Sequence, residues 1–235
     1  MAEIKEPDKK IVMEFKDAGV CFYSSLNIFN RRKIWAFKDL SFKLYEGETL
    51  GIIGKNGAGK STLMKLMAGI INADKGTVVR RVGTVQLLAL QVGFLQHLSG
   101  RENAILSGIL LGMRKKQMVE LMDSIIEFSE LGVQIDDEVR TYSSGMKARL
   151  GFAVACHTDP DVLLIDEVLG VGDSRFKEKS RKVMVERIRS NKTVVLISHN
   201  EETIMEFCDR AILLNNGSIE GVGSPEEIIQ AYSRI

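Results

Sequence analysis

Apolar residues along this chain fall into two patterns: short unbroken runs, and stretches where they return every three or four positions. The runs at 49–53, 162–165 and 193–197 have the make-up of strands buried on both faces. Runs and periodic stretches alternate, which predicts an α/β fold with a largely parallel sheet and these three strands at its centre. Residues 12–15, 20–23 and 35–45 also read as strands before the Glu46-Gly47 turn. Phe37, Phe42 and Leu44 alternate only in part, so an antiparallel sheet is expected beside the parallel core. Near the end, 211–214 and 218–222 flank Asn215-Asn216-Gly217, a hairpin signal. Ser224-Pro225-Glu226-Glu227 supplies the cap, first-position proline and acidic first turn of a last helix. The middle differs. Segments 101–113, 116–131 and 144–157 all carry helical periodicity with no strand run between them. The division expected is therefore an α-helical insert over about 96–158, set between two parts of an α/β core at about 10–95 and 159–235.

Composition narrows the class. With 45% hydrophobic and 27% charged residues over 235 positions, the chain can bury a sizeable core as one large domain or a core with a subdomain. Lys+Arg 32 against Asp+Glu 31 leaves a formal charge of +1, without the broad positive field that a nucleic-acid partner would draw on. Cys21, Cys156 and Cys208 are odd in number, far apart and without a CxxC pair, which points to neither a disulfide framework nor a zinc site and suits a reducing compartment. The first ten residues alternate charges and lack the apolar stretch of a signal peptide, so a cytosolic location is expected. Residues 82–100 hold no formal charge and have the length of a membrane span. Gln86, Gln91, Gln96, His97, Thr84 and Ser99 would be costly in hydrocarbon, and a strand followed by a polar loop is the reading adopted.

Three segments carry chemistry. Gly54-Lys55-Asn56-Gly57-Ala58-Gly59-Lys60-Ser61 fits G-x-x-x-x-G-K-[ST], directly after a strand and before the periodic helix 62–70 that opens at Thr62. Glycines let the backbone wrap a phosphate chain, and its amides and the helix N-terminus supply positive potential. Lys60 reaches the β and γ phosphates, and the Ser61 hydroxyl can ligate Mg²⁺. The strand 162–165 delivers Asp166 and Glu167 at its C-terminal end, where parallel sheets place ligands. An acidic pair there would by itself be a solvated turn or cap. Beside a nucleotide loop, the two become candidates for a Mg²⁺ carboxylate and for the base that orients water. The strand 193–197 leads through Ser198 to His199, placed to hydrogen-bond a γ-phosphate oxygen or the attacking water.

The order of Gly54–Ser61, Tyr142-Ser143-Ser144-Gly145-Met146, Asp166-Glu167 and His199 resembles the ATP-binding-cassette ATPases, over nearly the whole chain. The resemblance implies a P-loop NTPase cassette over 1–235, with a mainly parallel core sheet, an antiparallel β subdomain and an α-helical insert that carries the signature. It implies ATP and Mg²⁺ as ligands, Glu167, His199 and Lys60 as catalytic groups, and a second copy pairing head to tail so that Ser143 and Gly145 reach the γ-phosphate on the opposite P-loop. The usual signature, LSGGQ, is altered here at Tyr142, Ser144 and Met146. That variant, with Glu167-Val168-Leu169-Gly170-Val171-Gly172-Asp173 after the acidic strand, is similar to the branch that energises export of O-antigen, capsule or teichoic-acid polysaccharide. Gly170 to Asp173 would form the D-loop.

Further implications follow from the same resemblance. The glutamine that touches Mg²⁺ and the membrane partner falls best on Gln91, with Gln86 as the other choice. The adenine-stacking aromatic falls on Phe22, next to Tyr23, and a core role for Phe22 stands beside it. The protein is expected at the cytoplasmic face of the inner membrane as a peripheral subunit of a separate transmembrane permease. Rival readings are a soluble cassette acting on ribosomes or DNA, a cassette exporting another substrate, and a GTPase switch. The last would want N-K-x-D, and Asn191-Lys192-Thr193-Val194 lacks the aspartate. The runs Arg31-Arg32-Lys33 and Arg114-Lys115-Lys116 read as solvated loops.

Overall fold

The computed structural model describes residues 9–24, 32–88, 94–166 and 173–235. In chain order the elements are β1 (Ile11–Ser24), β2 (Arg32–Tyr45), β3 (Thr49–Ile53), α1 (Lys60–Met67), β4 (Lys75–Arg80) and β5 (Val85–Leu87). Then come α2 (Gly100–Leu110), α3 (Lys115–Glu120), α4 (Met122–Ser129), 3₁₀ turns at Gly132–Asp136 and Val139–Thr141, and α5 (Ser144–Cys156). The chain continues with β6 (Val162–Asp166), α6 (Ser174–Ile188), β7 (Thr193–Ile197), α7 (Glu201–Phe207), β8 (Arg210–Asn215), β9 (Ser218–Gly223) and α8 (Pro225–Tyr232). These form two compact units. One comprises Met1–Leu87, Asp161–Glu167 and Ile188–Ile235, and the other Leu88–Pro160 and Val168–Arg187.

The first unit holds two sheets. One has six strands in the order β5-β6-β7-β3-β8-β9, parallel except for the β8–β9 hairpin. Strands β6, β7 and β3 lie at its centre, and their near-complete burial explains why their sequences are apolar throughout rather than alternating. The other sheet is antiparallel, in the order β2-β1-β4. Its inner face, including the stacked rings of Phe15 and Phe42, shares a core with α1 and one face of the larger sheet. The opposite face of the larger sheet packs Ile53, Ala211 and Leu213 against Ile204 of α7 and Ile228 of α8.

Local chemistry accounts for two departures from the sequence pattern. The expected strands 12–15 and 20–23 are one strand, β1, interrupted by irregular register between Phe15 and Val20. Asp17 there adopts a positive φ of 47°, its amide donates to Ser41 Oγ, and Ser41 donates back to Asp17 Oδ1, so a polar stretch that resembles a turn is a β-bulge. The edge strand β4, which the pattern leaves unassigned, is disguised by its charged ends. Its Arg80 also donates to the carbonyls of Leu66 and Met67, placing a cation at the C-terminus of α1.

In the second unit, α2 to α5 and the 3₁₀ turns surround Ile125, Ile135, Val139, Tyr142 and Leu150. The expected helix 116–131 is divided at Leu121, and its second half stops where Glu130 turns left-handed with φ 57°. Helix α6 belongs to this unit up to Arg187, although the sequence division assigns 159–235 to the core. Phe176 explains the association: it meets Phe128 and Phe152 edge-on, and Lys179 donates to the Phe128 carbonyl and pairs with Glu130.

Asn103, fully buried on α2, fastens the segment ahead of that helix. Its Nδ2 donates to the carbonyls of Leu95, Leu98 and Ser99, and its Oδ1 accepts from the Leu95 amide at 2.7 Å. Asn103→Ala strands those buried groups and is expected to destabilise the unit by about 3 kcal/mol. Hydrogen exchange is the appropriate readout, because the single tryptophan, Trp35, lies in the other unit. Amides of α2 and residues 94–99 should exchange faster while the Trp35 fluorescence transition stays in place; unchanged exchange would contradict the role given to Asn103.

Candidate nucleotide site

The phosphate-type loop runs from the end of β3 into α1 and is shaped by what surrounds it. A Cβ on Gly54 would fall 1.9 Å from the Leu214 carbonyl oxygen of β8, so no side chain fits there. Gly59 has φ 103°, a left-handed backbone, and lies against the Ala36 carbonyl of β2. The hairpin turn approaches the same carbonyl: Gly217 has φ 74°, and its Cβ would sit 2.7 Å from Ala36 O. Gly217 also donates its amide to Ala58 O at 3.2 Å and accepts from the Lys38 amide at 3.2 Å. The loop is thus gripped between β2 and the β8–β9 turn.

Within the loop, Lys60 is nearly buried and its Nζ donates to Gly54 O at 2.7 Å and Lys55 O at 3.1 Å. Gly59 has no side chain to cap α1, and the first turn of the helix contains no acidic residue. The helix therefore presents its first amides and its positive end at the loop without an internal anion. Ser61 is exposed on that turn and Thr62 half-buried, while Lys55, Asn56 and Gly57 are exposed and Ala58 is buried.

Sheet register brings the other groups to the same edge. Ile52 pairs with Ile197, and Ile197 with Asp166, so the ends of β3, β7 and β6 are level. With about 4.8 Å between neighbouring strands, the strand ends leading to Gly54 and Asp166 are roughly 10 Å apart, with β7 between them. Asp166 is half-buried at its strand end. Two residues past Ile197, His199 is exposed at the head of α7. The turn is fixed by Ser198 Oγ, which accepts from the Asn200 amide, and by Asn200 Oδ1, which accepts from the amides of Glu202 and Thr203. Glu167, Gln91 and residues 170–172 of the expected D-loop lie outside the described residues. Gln86, the alternative to Gln91, is buried on β5 opposite Leu163. Phe22 is 51% exposed and Tyr23 60% exposed at the end of β1, so neither ring belongs to the core.

In the second unit the segment Tyr142–Met146 starts α5. Ser143 caps the helix, its Oγ accepting from Met146 N at 3.2 Å, and both Ser143 and Ser144 are exposed. Tyr142 takes a core position instead: its hydroxyl donates to Gln134 O, and burial pushes its pKa up to about 12. Gly145 has no steric reason within its surroundings to lack a side chain, since its nearest outside neighbour would be Ser143 Oγ at 3.8 Å. The α5 N-terminus has no acidic residue in its first turn.

Sequence comparison identifies the family, and fold comparison shows the same fold in solved structures. The ABC transporter family profile matches residues 37–170. The chain is 47% identical over 208 residues to a teichoic acids export ATP-binding protein, TagH, of Lactococcus lactis, covering 88% of this chain and 44% of that one. It is 43% identical over 210 residues to an O-antigen export system ATP-binding protein, RfbB, of Klebsiella pneumoniae, covering 89% and 85%. Among solved structures, the dimeric ADP- and phosphate-bound ATP-binding cassette MJ0796 shares the fold at TM-score 0.70 and 20% identity, covering 91% of this chain and 98% of that one. An ATP-binding subunit of an ABC transporter does so at TM-score 0.71 and 19% identity, covering 94% and 93%. The chain belongs to the ABC transporter family. It spans less than half the length of the Lactococcus relative and most of the Klebsiella one.

The hairpin glycine is the site residue that the sequence does not flag, because Asn215-Asn216-Gly217 carries only a turn signal and its grip on the loop depends on β2. Gly217→Ala adds a methyl at a left-handed position against a carbonyl, a strain of about 1–3 kcal/mol. A titration with a fluorescent ATP analogue should show weaker binding by about tenfold if that strain is relieved by moving the turn away from Ala58. Unchanged affinity alongside a lowered melting temperature would mean that the turn supports the fold alone.

Proposed function

We propose that the chain is the ATP-hydrolysing subunit of a membrane exporter whose cargo is a polysaccharide of the O-antigen, capsule or teichoic-acid kind. The observation that carries the reading is one sheet edge bearing the glycine-clamped loop with the bare α1 N-terminus, the Asp166 carboxylate and the His199 turn. Relatives at 43–47% identity are ATP-binding proteins for teichoic-acid and O-antigen export, which supports the cargo class. No helix among the described residues is long and apolar enough to cross a membrane. In this reading a separate permease subunit provides the channel, and this chain works at its cytoplasmic face.

In this reading the loop amides and the α1 N-terminus hold the triphosphate, with Lys60 leaving its loop carbonyls for the β and γ oxygens. Phe22 stacks on adenine. One hydroxyl and one strand-end carboxylate, Ser61 and Asp166, suit a hard cation that keeps several waters, with Gln91 as a further donor. Bound there, Mg²⁺ supplies charge compensation for the β and γ oxygens. Glu167 accepts a proton from the attacking water, and His199 hydrogen-bonds the γ-phosphate. The exposed Ser143 hydroxyl, the amides of the α5 N-terminus and the unhindered Gly145 suit the γ-phosphate held by a second copy, so each site closes on dimerisation.

Phosphate release and binding of the fluorescent analogue separate these roles. Glu167→Gln is expected to bind ATP as the parent does while turnover falls by at least about a hundredfold, the contribution of a general base. Lys60→Ala should lose binding itself. Turnover unaffected by Glu167→Gln would reject that residue as the base.

A further inference from the structure

On the first unit, α7 and α8 line an open groove of about 900 Å³ that takes no part in the nucleotide reading. Its apolar lining is Met205, which is 45% exposed, and Ile229. Glu201, Glu202 and Glu226 also line it and are exposed. Two further carboxylates are committed: Glu206 pairs with Arg189 at 3.0 Å, and Glu227 closes the capping box of α8. Among the described residues that line it, five carboxylates and no cation contrast with a formal charge of +1 for the whole chain.

We propose that this groove docks a basic amphipathic helical segment of a separate polypeptide. Two helices of about two turns each, bringing Met205 and Ile229 together with five carboxylates, match a third helix that carries both apolar residues and Lys/Arg. A second copy of the chain is a poor fit. Of its exposed basic stretches, Arg32-Lys33 lies on the strand β2, Arg114-Lys115-Lys116 opens the short helix α3, whose Met118 is fully buried in its own unit, and Arg181-Lys182 lies on α6, whose Phe176 and Met184 are likewise buried. A small polyamine would meet the carboxylates but leave Met205 and Ile229 unused. The dock also has a route to the nucleotide loop: Ile204 of α7 and Ile228 of α8 pack on Ile53, the residue before Gly54.

Fluorescence anisotropy tests the proposal without nucleotide, so its outcome is separate from that of the ATPase reading. The probe is a fluorescein-labelled 14-residue amphipathic helix with a leucine stripe flanked by lysines. It should bind the whole chain saturably and weaken at least tenfold with Glu201→Gln, Glu202→Gln and Glu226→Gln together. Met205→Ser should also weaken it, whereas a lysine-only peptide of equal charge should bind at least tenfold less tightly. Circular dichroism melts of the variants, whose substitutions are all at exposed positions, establish that they fold. Absence of saturable binding, equal affinity for folded triple variant and parent, or equal affinity for the lysine-only peptide would overturn the proposal. So would sedimentation showing that the chain self-associates through this groove.

Discussion

The fold of the phosphate-type loop depends on three backbone segments meeting where no methyl group fits. Gly54 lies against the Leu214 carbonyl, while Gly59 and Gly217 both lie against Ala36 O. Two of the three have positive φ, and Gly217 further ties the loop through Ala58. The antiparallel sheet and the β8–β9 hairpin are consequently part of the site's frame. β2 supplies Ala36 on one side, β8 supplies Leu214 on the other, and α1 is held at its far end by Arg80 of β4. Burial of β3, β6 and β7 on both faces then fixes the register that sets Asp166 level with the end of the loop strand.

Much of this was legible in the sequence, for reasons that differ between elements. Three apolar runs identify the central strands because burial on both faces removes alternation. The loop pattern is readable because phosphate binding needs backbone conformations that few residues other than glycine adopt. Asn215-Asn216-Gly217 marks its hairpin because both turn residues take positive φ, and Ser224 and Glu227 form the capping box that their spacing suggests.

Other features were hidden because they depend on residues far apart in the chain. The bulge at Asp17 is stabilised by Ser41, and local pattern alone reads it as a break between strands. Association of α6 with the helical unit rests on Phe176 meeting Phe128 and Phe152, a contact that hydrophobic periodicity does not specify. Tyr142 looks like a disruption of a signature motif; in the structure it is a core residue tied to Gln134, and the polar face of the motif is left to Ser143, Ser144 and Gly145.

The proposed account joins these parts through one physical claim: a triphosphate held by the clamped loop is also gripped by the α5 N-terminus of a second copy. Sedimentation velocity of the Glu167→Gln chain tests this most directly. The account predicts that Mg²⁺ with ATP converts monomer to dimer, that ADP does not, and that Gly145→Asp abolishes the conversion by placing a carboxylate where the phosphate should go. A chain that stays monomeric at saturating ATP, or dimerises equally with ADP and with Gly145→Asp, would contradict it.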